Sequence, residues 1–437
     1  MRALFKFKTY RLLLNNQASL TKQWLSMGGY QATRLILGLF LTGFLARTFG
    51  PEHFGLYISI SSLAIVFQSI ASGGVQTVII QKSSGRSVDS QNRTIIAGLY
   101  IRLVYSFLAS LLWPICILIL YPAQIWLSFL LLPFIFLSFI EVLNYRLISI
   151  HRSDLNASFN SIAFVLFLLS HSLFFILPQI NHLALGLALL SFEWVAIVLL
   201  LLGFSGPSRL LKAYRFGRWK RIVKPIFFYS IPILISTIVY LIQQRMSLVF
   251  VDKLSTNYES SLFAAAQKLG YLPQTLTMVL FTPLLPKLAD SLNKGKYSLF
   301  AKQLQKFSLI ILLSGIVSLS IFALFSDFWI KTIFGTEYQG ASVIFLVLLT
   351  QSALMLQRPI LDRILTVMGK AKLVMNIYLI SLLLQVPLSF YLIPLFGALG
   401  AAISLCISTL IGGWILPILL SKTSRSILFA PFMLYKV

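Results

Sequence analysis

Acidic residues are scarce in this sequence. Asp and Glu together account for 11 of 437 residues, against 36 Lys and Arg, and charged residues of both signs make up 11% of the chain. A soluble globular domain carries about 25% charged residues, so this composition excludes an ordinary soluble protein. It also leaves no acidic cluster of the kind that binds hard divalent cations.

Cysteine is rare, and two common catalytic motifs are absent. The two cysteines, Cys116 and Cys406, lie in separate apolar runs, where we expect them to pack as small apolar side chains. The sequence contains no Gly-x4-Gly-Lys-Ser/Thr loop and no His-Glu-x-x-His motif, which argues against ATP hydrolysis and zinc-dependent proteolysis. We therefore expect no cofactor, no bound metal and no enzymatic activity.

Long apolar runs fill most of the chain, and 58% of the residues are hydrophobic. A helix needs about 20 apolar residues to cross a bilayer, and about twelve runs approach that length. They cover residues 24–46, 54–80, 95–120, 124–146, 157–177, 183–203, 226–251, 261–286, 307–326, 341–362, 373–393 and 398–420. The sequence thus predicts an all-α polytopic membrane protein.

Lysine and arginine are concentrated in alternate loops between these runs. One set of loops carries most of them, Arg146 and Arg152 included, whereas the other set holds only Arg47, Lys253 and Lys331. Because cytoplasmic loops carry such an excess, we expect both termini in the cytoplasm. The net charge of +25 is then explained by basic loops that face anionic lipid headgroups, without nucleic acid.

A repeated hairpin divides the chain into two similar halves. Residues 24–81 contain two apolar runs joined by the polar corner 47–53, and residues 225–286 repeat this arrangement around the corner 252–258. Parallel repeats of this kind occur in some transporters. The expected domains are a basic interfacial segment 1–23, an N-terminal six-helix bundle 24–204, a basic cytoplasmic linker 205–224, a C-terminal six-helix bundle 225–421 and a cytoplasmic tail 422–437.

Five basic residues remain inside the predicted spans, where a charge is costly and normally faces a partner or water. They are Arg34, Arg102, Arg245, Lys268 and Arg358. Each is a candidate for binding an anionic substrate, Arg34 foremost because it lies about 15 Å into its span, near the midplane. A structural ion pair is the alternative, most of all for Arg358, which has Asp362 one helical turn away.

Two acidic residues, Glu141 and Glu193, also lie within predicted spans. Either could pair with one of the basic residues. Either could instead bind a coupling ion, because a carboxyl group removed from water takes up a proton more readily. A proton, sodium and the membrane potential therefore remain as alternative driving forces.

Several motifs resemble those of the Wzx-type polysaccharide flippases, relatives of the MATE exporters and the lipid II flippase in the MOP superfamily. They are Gly28-Gly-Tyr-Gln31, Leu45-Ala-Arg-Thr-Phe-Gly-Pro-Glu-His-Phe-Gly-Leu-Tyr57, Phe250-Val-Asp-Lys-Leu254 and Phe263-Ala-Ala-Ala-Gln-Lys-Leu269. The resemblance implies two six-helix bundles around a central cavity in the bacterial inner membrane. It also implies that undecaprenyl-pyrophosphate-linked oligosaccharide, such as an O-antigen unit of lipopolysaccharide, moves from the cytoplasmic to the periplasmic leaflet.

The resemblance also implies the partners. They are the lipid-linked oligosaccharide, membrane lipids, and a polymerase and chain-length regulator of the same pathway. Two other functions stay open: a MATE-like ion-coupled exporter of small molecules, and a membrane O-antigen polymerase or ligase. An exporter of organic cations needs acids that face its substrate, whereas a polymerase or ligase needs a large outer loop with catalytic residues, and the longest outer loop here is 327–340.

Overall fold

The computed structural model consists of helices and short turns in the residues that it describes, which are 20–83, 87–149, 152–176, 181–205, 219–275 and 297–429. Within these ranges there is no strand, and nine helices are long and apolar enough to cross a membrane. The protein is therefore an all-α multi-pass membrane protein, which confirms the fold class predicted from the apolar runs.

The helices of the first half follow the predicted spans with interruptions. They are α1 (Leu20–Ser72), α2 (Gln76–Ser83), α3 (Val88–Leu120), α4 (Leu127–Phe136), α5 (Val142–Ser149), α6 (Ser153–Ser170), α7 (Leu173–Ile176) and α8 (His182–Ser205). Short 3-10 helices at Pro122–Gln124 and Leu137–Glu141 flank α4.

The helices of the second half include two of the longest in the chain. They are α9 (Lys220–Leu254), α10 (Asn257–Gly270), α11 (Tyr297–Leu324), α12 (Ser326–Ile333), α13 (Ala341–Met355), α14 (Arg358–Val367), α15 (Ala371–Leu410), α16 (Leu416–Leu420) and α17 (Lys422–Leu428). A 3-10 helix lies at Thr336–Tyr338, and a π-helix at Ile411–Ile415 joins α15 to α16.

Each predicted span overlaps at least one helix. The first two spans both fall largely within α1, and the last two fall within α15, the π-helix and α16. The eighth predicted span, 261–286, is helical up to residue 275, apart from a turn at Tyr271, and the rest lies outside the described residues. Residues 1–19, 206–218 and 430–437, which include most of the predicted interfacial segment and linker and half of the predicted tail, also lie outside them.

Single glycines break the two longest helices where the sequence predicts polar corners or turns. Gly50 in α1 has φ 71° and ψ 167°, and Gly397 in α15 has φ 57° and ψ −135°. Residues with a Cβ rarely adopt positive φ, so glycine can reverse the chain here at least cost. Pro51 follows the first break and suits the start of a new helical arm because it lacks a backbone N–H. The predicted corner 47–53 is thus a one-residue break.

The chain divides into two compact units. The first unit contains residues up to Arg34 together with Phe67–Leu234, and the second contains Leu35–Val66 together with Ile235–Val437. Buried apolar residues of α2, α3, α5 and α8 form the core of the first unit. Residues of α9, α11, α14 and α15 form a core of the second.

Residues 35–66 pack within the second unit, although the predicted N-terminal bundle includes them by sequence order. Arg47 Nη2 donates a hydrogen bond to the Thr332 carbonyl at 2.5 Å. The Tyr338 hydroxyl donates to the Ala46 carbonyl at 3.1 Å, and burial raises the pKa of that hydroxyl. These contacts join positions far apart in sequence, which the order of apolar runs does not reveal.

Exposed apolar stripes identify surfaces suited to lipid. Residues spaced four apart on α3 and α11 are exposed and large, and such spacing places them on one face of a helix. They are Leu103, Phe107, Leu111, Ile115 and Ile119 on α3, and Leu309, Leu313 and Val317 on α11. Water-soluble proteins rarely expose contiguous apolar faces of this size, so these faces fit the hydrocarbon of a bilayer.

Two basic residues that the sequence assigns to a headgroup-facing loop are buried instead. Arg146 in α5 is 7% exposed, and Arg152, just before α6, is 5% exposed. Arg152 holds Asp154 through Nε–Oδ1 at 3.0 Å and Nη2–Oδ2 at 3.2 Å. The prediction that both face lipid headgroups is therefore wrong, because helix packing covers them and a nearby carboxylate neutralises Arg152.

Candidate functional site

Arg34 on α1 and Glu193 on α8 form an ion pair in the first unit. The Nη2 and Oε1 atoms are 2.7 Å apart. Arg34 Nη1 donates a hydrogen bond to the Tyr30 hydroxyl at 2.5 Å, and the guanidinium lies 5.4 Å from the centre of the Phe164 ring on α6. The structure thus joins the foremost candidate for substrate binding to a candidate for ion coupling.

The two members of this pair differ in accessibility. The Glu193 side chain is 6% exposed, whereas the Arg34 side chain is 44% exposed. A guanidinium has five N–H donors, so the bonds to Glu193 and Tyr30 do not exhaust it. Arg34 could bind a second anion without releasing Glu193.

Arg102 on α3 is enclosed by the first unit and is 0% exposed. Its Nη1 donates to Glu141 Oε2 at 2.9 Å and to the Tyr145 hydroxyl at 2.6 Å. The sequence could not predict Tyr145 as a partner because the contact joins separate helices. In this conformation Arg102 stabilises the packing of α3 against α5 and is not accessible to a substrate.

Arg358 at the start of α14 is held by three groups of the second unit. Its Nε lies 2.9 Å from Asp362 Oδ1, and its Nη1 donates to the Gly412 carbonyl of the π-helix at 2.6 Å. The guanidinium lies 4.6 Å from the centre of the Tyr378 ring. The Tyr378 hydroxyl donates to Asp362 Oδ2 at 2.5 Å, so both carboxylate oxygens are engaged. The ion pair predicted from the spacing of four residues is confirmed.

Arg245 on α9 differs from these three arginines. Among the residues that the structure describes, it has no hydrogen bond and no ion pair. Its electrostatic neighbours are the phenols of Tyr240 and Tyr271, and the side chain is half-buried. Arg245 lies six residues, or about 9 Å, inside the outer end of the predicted span 226–251. It therefore lies deeper than a residue at the end of a span.

Amide and phenol side chains surround this part of α9. Tyr271 donates its hydroxyl proton to Gln244 Oε1, and Gln267 Nε2 donates to the Tyr271 hydroxyl at 3.0 Å. Gln274 Nε2 donates to the Tyr240 hydroxyl at 3.2 Å. Reasoning from charges alone missed these residues. The polar run Gln243-Gln244-Arg245 within an apolar helix is the signal that could have found them.

Lys268 is the exposed residue of an otherwise buried stretch of α10. Its neighbours Ser260–Gln267, Leu269 and Gly270 are buried. The small side chains that precede it, Ala264, Ala265 and Ala266, are buried. The structure leaves Lys268 accessible, as binding an anionic substrate would require.

Each unit contains some of the candidate residues. Arg34, Arg102, Glu141 and Glu193 belong to the first unit, whereas Arg245, Lys268 and Arg358 belong to the second. Across the described ranges, no three His, Cys, Asp or Glu side chains come together in a way that could hold a metal ion.

Comparison with known sequences yields no match, either to a protein-family profile or to a curated protein. Solved structures do match. An outward-facing multidrug resistance MATE family transporter of the MOP superfamily aligns over 95% of this chain and 98% of its own, with 12% identity and a TM-score of 0.67. The lipid II flippase MurJ in an inward closed conformation aligns over 92% of this chain and 89% of its own, with 16% identity and a TM-score of 0.64.

A third structure is a MOP superfamily transporter from Pyrococcus furiosus, described as having a binding pocket of reverse polarity that suggests a different function. It aligns over 95% of this chain and 98% of its own, with 14% identity and a TM-score of 0.61. All three alignments extend over nearly the whole chain at low identity. The chain therefore has the fold of the MOP superfamily transporters.

Proposed function

We propose that this protein is a Wzx-type flippase of the bacterial inner membrane. It carries undecaprenyl-pyrophosphate-linked oligosaccharide, a repeat unit of a surface polysaccharide, from the cytoplasmic to the periplasmic leaflet. Transport follows alternating access, in which the substrate site opens to one side of the membrane at a time.

The charge balance inside the spans is the observation that carries this proposal. The three acidic residues of the predicted spans, Glu141, Glu193 and Asp362, are each paired with an arginine. Among the described residues Arg245 has no such partner, and Arg34 is 44% exposed despite its pair. The surplus is positive, which favours an anionic substrate over an organic cation.

Arginine is well matched to a pyrophosphate. Its planar guanidinium can form two parallel hydrogen bonds to phosphate oxygens. A cation that already lies among apolar helices also lowers the cost of bringing an anion there. The mobile lipid-linked headgroup would then neutralise the charge that the protein leaves uncompensated.

The comparisons support a transporter of this kind through the fold. The lipid II flippase shares the architecture, so the fold is compatible with moving a lipid-linked substrate. The Pyrococcus furiosus structure is described in terms of a reversed pocket polarity and a different function. Charge within this fold therefore varies between proteins, and we use its sign here to choose between flippase and cation exporter.

The proposed function implies particular partners and no enzymatic activity. We expect contact with membrane lipids and with the polymerase and chain-length regulator of the same pathway, and no role for nucleic acid. The longest predicted outer loop, 327–340, consists mostly of α12 and the 3-10 helix Thr336–Tyr338. It therefore offers little room for the catalytic loop of a polymerase or ligase.

Reconstitution tests the proposal directly. The purified protein is placed in proteoliposomes with fluorescent undecaprenyl-pyrophosphate-linked oligosaccharide, and an impermeant glycosidase reports the exposed fraction over time. We expect faster exposure than in empty liposomes and no transport of a cationic dye. Dye transport without flipping would favour a MATE-like exporter, whereas elongation of the oligosaccharide would favour a polymerase.

A further inference from the structure

We propose that Arg245 is the centre of an oxyanion-binding site in the second unit, formed with Gln244, Tyr240 and Tyr271. The site holds an anionic group of the translocated molecule next to sugar hydroxyls. This inference rests on the proposed flippase function and specifies which residues of the second unit contact the cargo.

The positive charge of Arg245 is not balanced by an acidic side chain among the described residues. Arg245 lies about 9 Å inside the outer end of its predicted span 226–251, and in the described part of the chain no acid pairs with it. Asp362 interacts electrostatically with Tyr240, which is also a neighbour of Arg245. The two carboxylate oxygens of Asp362, however, already contact Arg358 and Tyr378, so this acid does not pair with Arg245. A cation at membrane depth without a protein partner is expected to face water or a ligand.

Gln244, the residue before Arg245, carries an unused hydrogen-bond donor in the described part of the chain. Gln244 is 3% exposed, and its Nε2 has no hydrogen-bond partner among the residues that the structure describes. The orientation of this amide follows from its neighbours. Gln267 Nε2 lies 3.0 Å from the Gln244 backbone carbonyl, which can only accept, and it also donates to Tyr271. The Tyr271 proton therefore goes to Gln244 Oε1, which leaves Gln244 Nε2 as a free donor.

The hydrogen-bonding groups of the site determine the charge of the ligand that they can bind. A guanidinium has donors and no acceptor, and the unused atom of Gln244 is also a donor. The ligand must therefore supply acceptors, as the oxygens of a phosphate or a carboxylate do. Tyr240 and Gln274, which bond to each other at 3.2 Å, add hydroxyl and amide groups that can pair with sugar hydroxyls.

Two parts of a lipid-linked glycan could supply the oxyanion: the pyrophosphate link or an acidic sugar. Isothermal titration calorimetry on the full-length protein in detergent distinguishes them, with farnesyl pyrophosphate as one probe and glucuronate as the other. We compare the wild-type protein with Arg245→Gln. Lys331→Gln is the matched control, because Lys331 is an exposed lysine of the same unit.

We expect Arg245→Gln to weaken the binding of one probe by about 10- to 100-fold, the range for a hydrogen bond to a charged group. The probe that is affected identifies the source of the oxyanion. Lys331→Gln should bind as the wild type does. Wild-type affinity of Arg245→Gln for both probes, or equal losses in the two variants, would overturn the inference.

Two further measurements separate binding from folding. Because Arg245 has no ion-pair partner in the described residues, Arg245→Gln leaves no acid unpaired and should keep or raise the melting temperature in detergent. Arg245→Lys retains the charge without the planar fork, and we expect a smaller loss of affinity than for Arg245→Gln. Wild-type affinity in both variants would contradict the site even if one of them were poorly stable.

The outcome also separates this inference from the flippase proposal. If the wild-type protein flips lipid-linked oligosaccharide and Arg245→Gln flips and binds equally well, the site is wrong and the function stands. If binding depends on Arg245 but no flipping occurs in proteoliposomes, the oxyanion site stands and the proposed cargo is wrong.

Discussion

At the scale of single residues, the partner of a charged side chain decides what that side chain can do. Arg358 and Arg102 are almost fully buried and each contacts an acid and a tyrosine. Arg34 forms an ion pair with Glu193, yet its side chain remains 44% exposed. Buried pairs stabilise the helices around them, whereas accessible or unpaired cations are available to a substrate.

The Arg358 cluster leads to a prediction about stability. Arg358→Met leaves the carboxylate of Asp362 inside the second unit without its cation and removes the hydrogen bond to Gly412. Breaking one side of a buried pair costs about 3–5 kcal/mol, so we expect a clearly lower melting temperature in detergent. The double variant Arg358→Met/Asp362→Leu should recover part of the loss. A single variant as stable as the wild type would mean that the pair is structurally dispensable.

The Arg34 pair leads to a prediction about activity. Arg34→Ala should abolish flipping, and Arg34→Lys should restore only part of it because lysine lacks the planar fork. Arg34→Ala also leaves the buried Glu193 unpaired, so loss of activity alone could reflect poor folding. The double variant Arg34→Ala/Glu193→Gln removes that complication, and we expect normal protein levels without flipping. Flipping at the wild-type rate in the double variant would rule out a role of Arg34 with substrate.

At the scale of secondary-structure elements, the breaks in the long helices depend on few atoms. Glu259 at the start of α10 accepts a hydrogen bond from the Ala398 backbone N–H at 2.9 Å. This N–H lies just after the break at Gly397, at the amino end of a new helical arm, where a carboxylate is favoured. The glycine and the acid together fix the angle at which the last span begins.

We therefore expect Gly397→Ala to destabilise the second unit. The backbone there has φ 57°, and an added Cβ would lie 2.8 Å from Glu259 Oε2. Strained φ/ψ values of this kind cost about 1–3 kcal/mol, which a melting curve in detergent should detect. Gly38→Ala is the control, because no atom lies within 4 Å of its added Cβ. Equal melting temperatures for the two variants would contradict the importance of the break.

The sequence predicts elements better than it predicts their partners. Runs of apolar residues are local signals, so each predicted span overlaps a helix of the structure. The pair Arg358–Asp362 was also predictable, because four residues make one helical turn. The pairs Arg34–Glu193 and Arg102–Glu141 were not, since each joins separate helices. The same reason explains why the packing of residues 35–66 with the second unit went unpredicted.

At the scale of the whole molecule, function depends on the balance between apolar surface and interior charge. Exposed apolar faces on α3 and α11 suit a bilayer. The three acids of the predicted spans are paired, whereas Arg245 of the second unit has no acidic partner in the part of the chain that the structure describes. A carrier with this balance, as we propose for this protein, attracts an anion, and the sign of its cargo then decides which force can drive transport.

The membrane potential is the driving force that this charge balance favours. A lipid-linked pyrophosphate carries about two negative charges, and moving each charge outward across 100 mV releases about 2.3 kcal/mol. Two charges give about 4–5 kcal/mol, enough to bias a carrier without ATP. Interior arginines that stay near the midplane while access alternates move little through the field. The substrate therefore retains most of this gain.

We expect outward flipping in proteoliposomes to accelerate when valinomycin and a potassium gradient set an inside-negative potential at fixed pH and sodium. Clamping the potential at zero should slow flipping without stopping it. Glu193→Gln, which removes a carboxylate that could exchange an ion, should leave the potential dependence in place. A rate that ignores the potential, follows a proton or sodium gradient and is lost in Glu193→Gln would instead establish ion exchange at the Arg34–Glu193 pair.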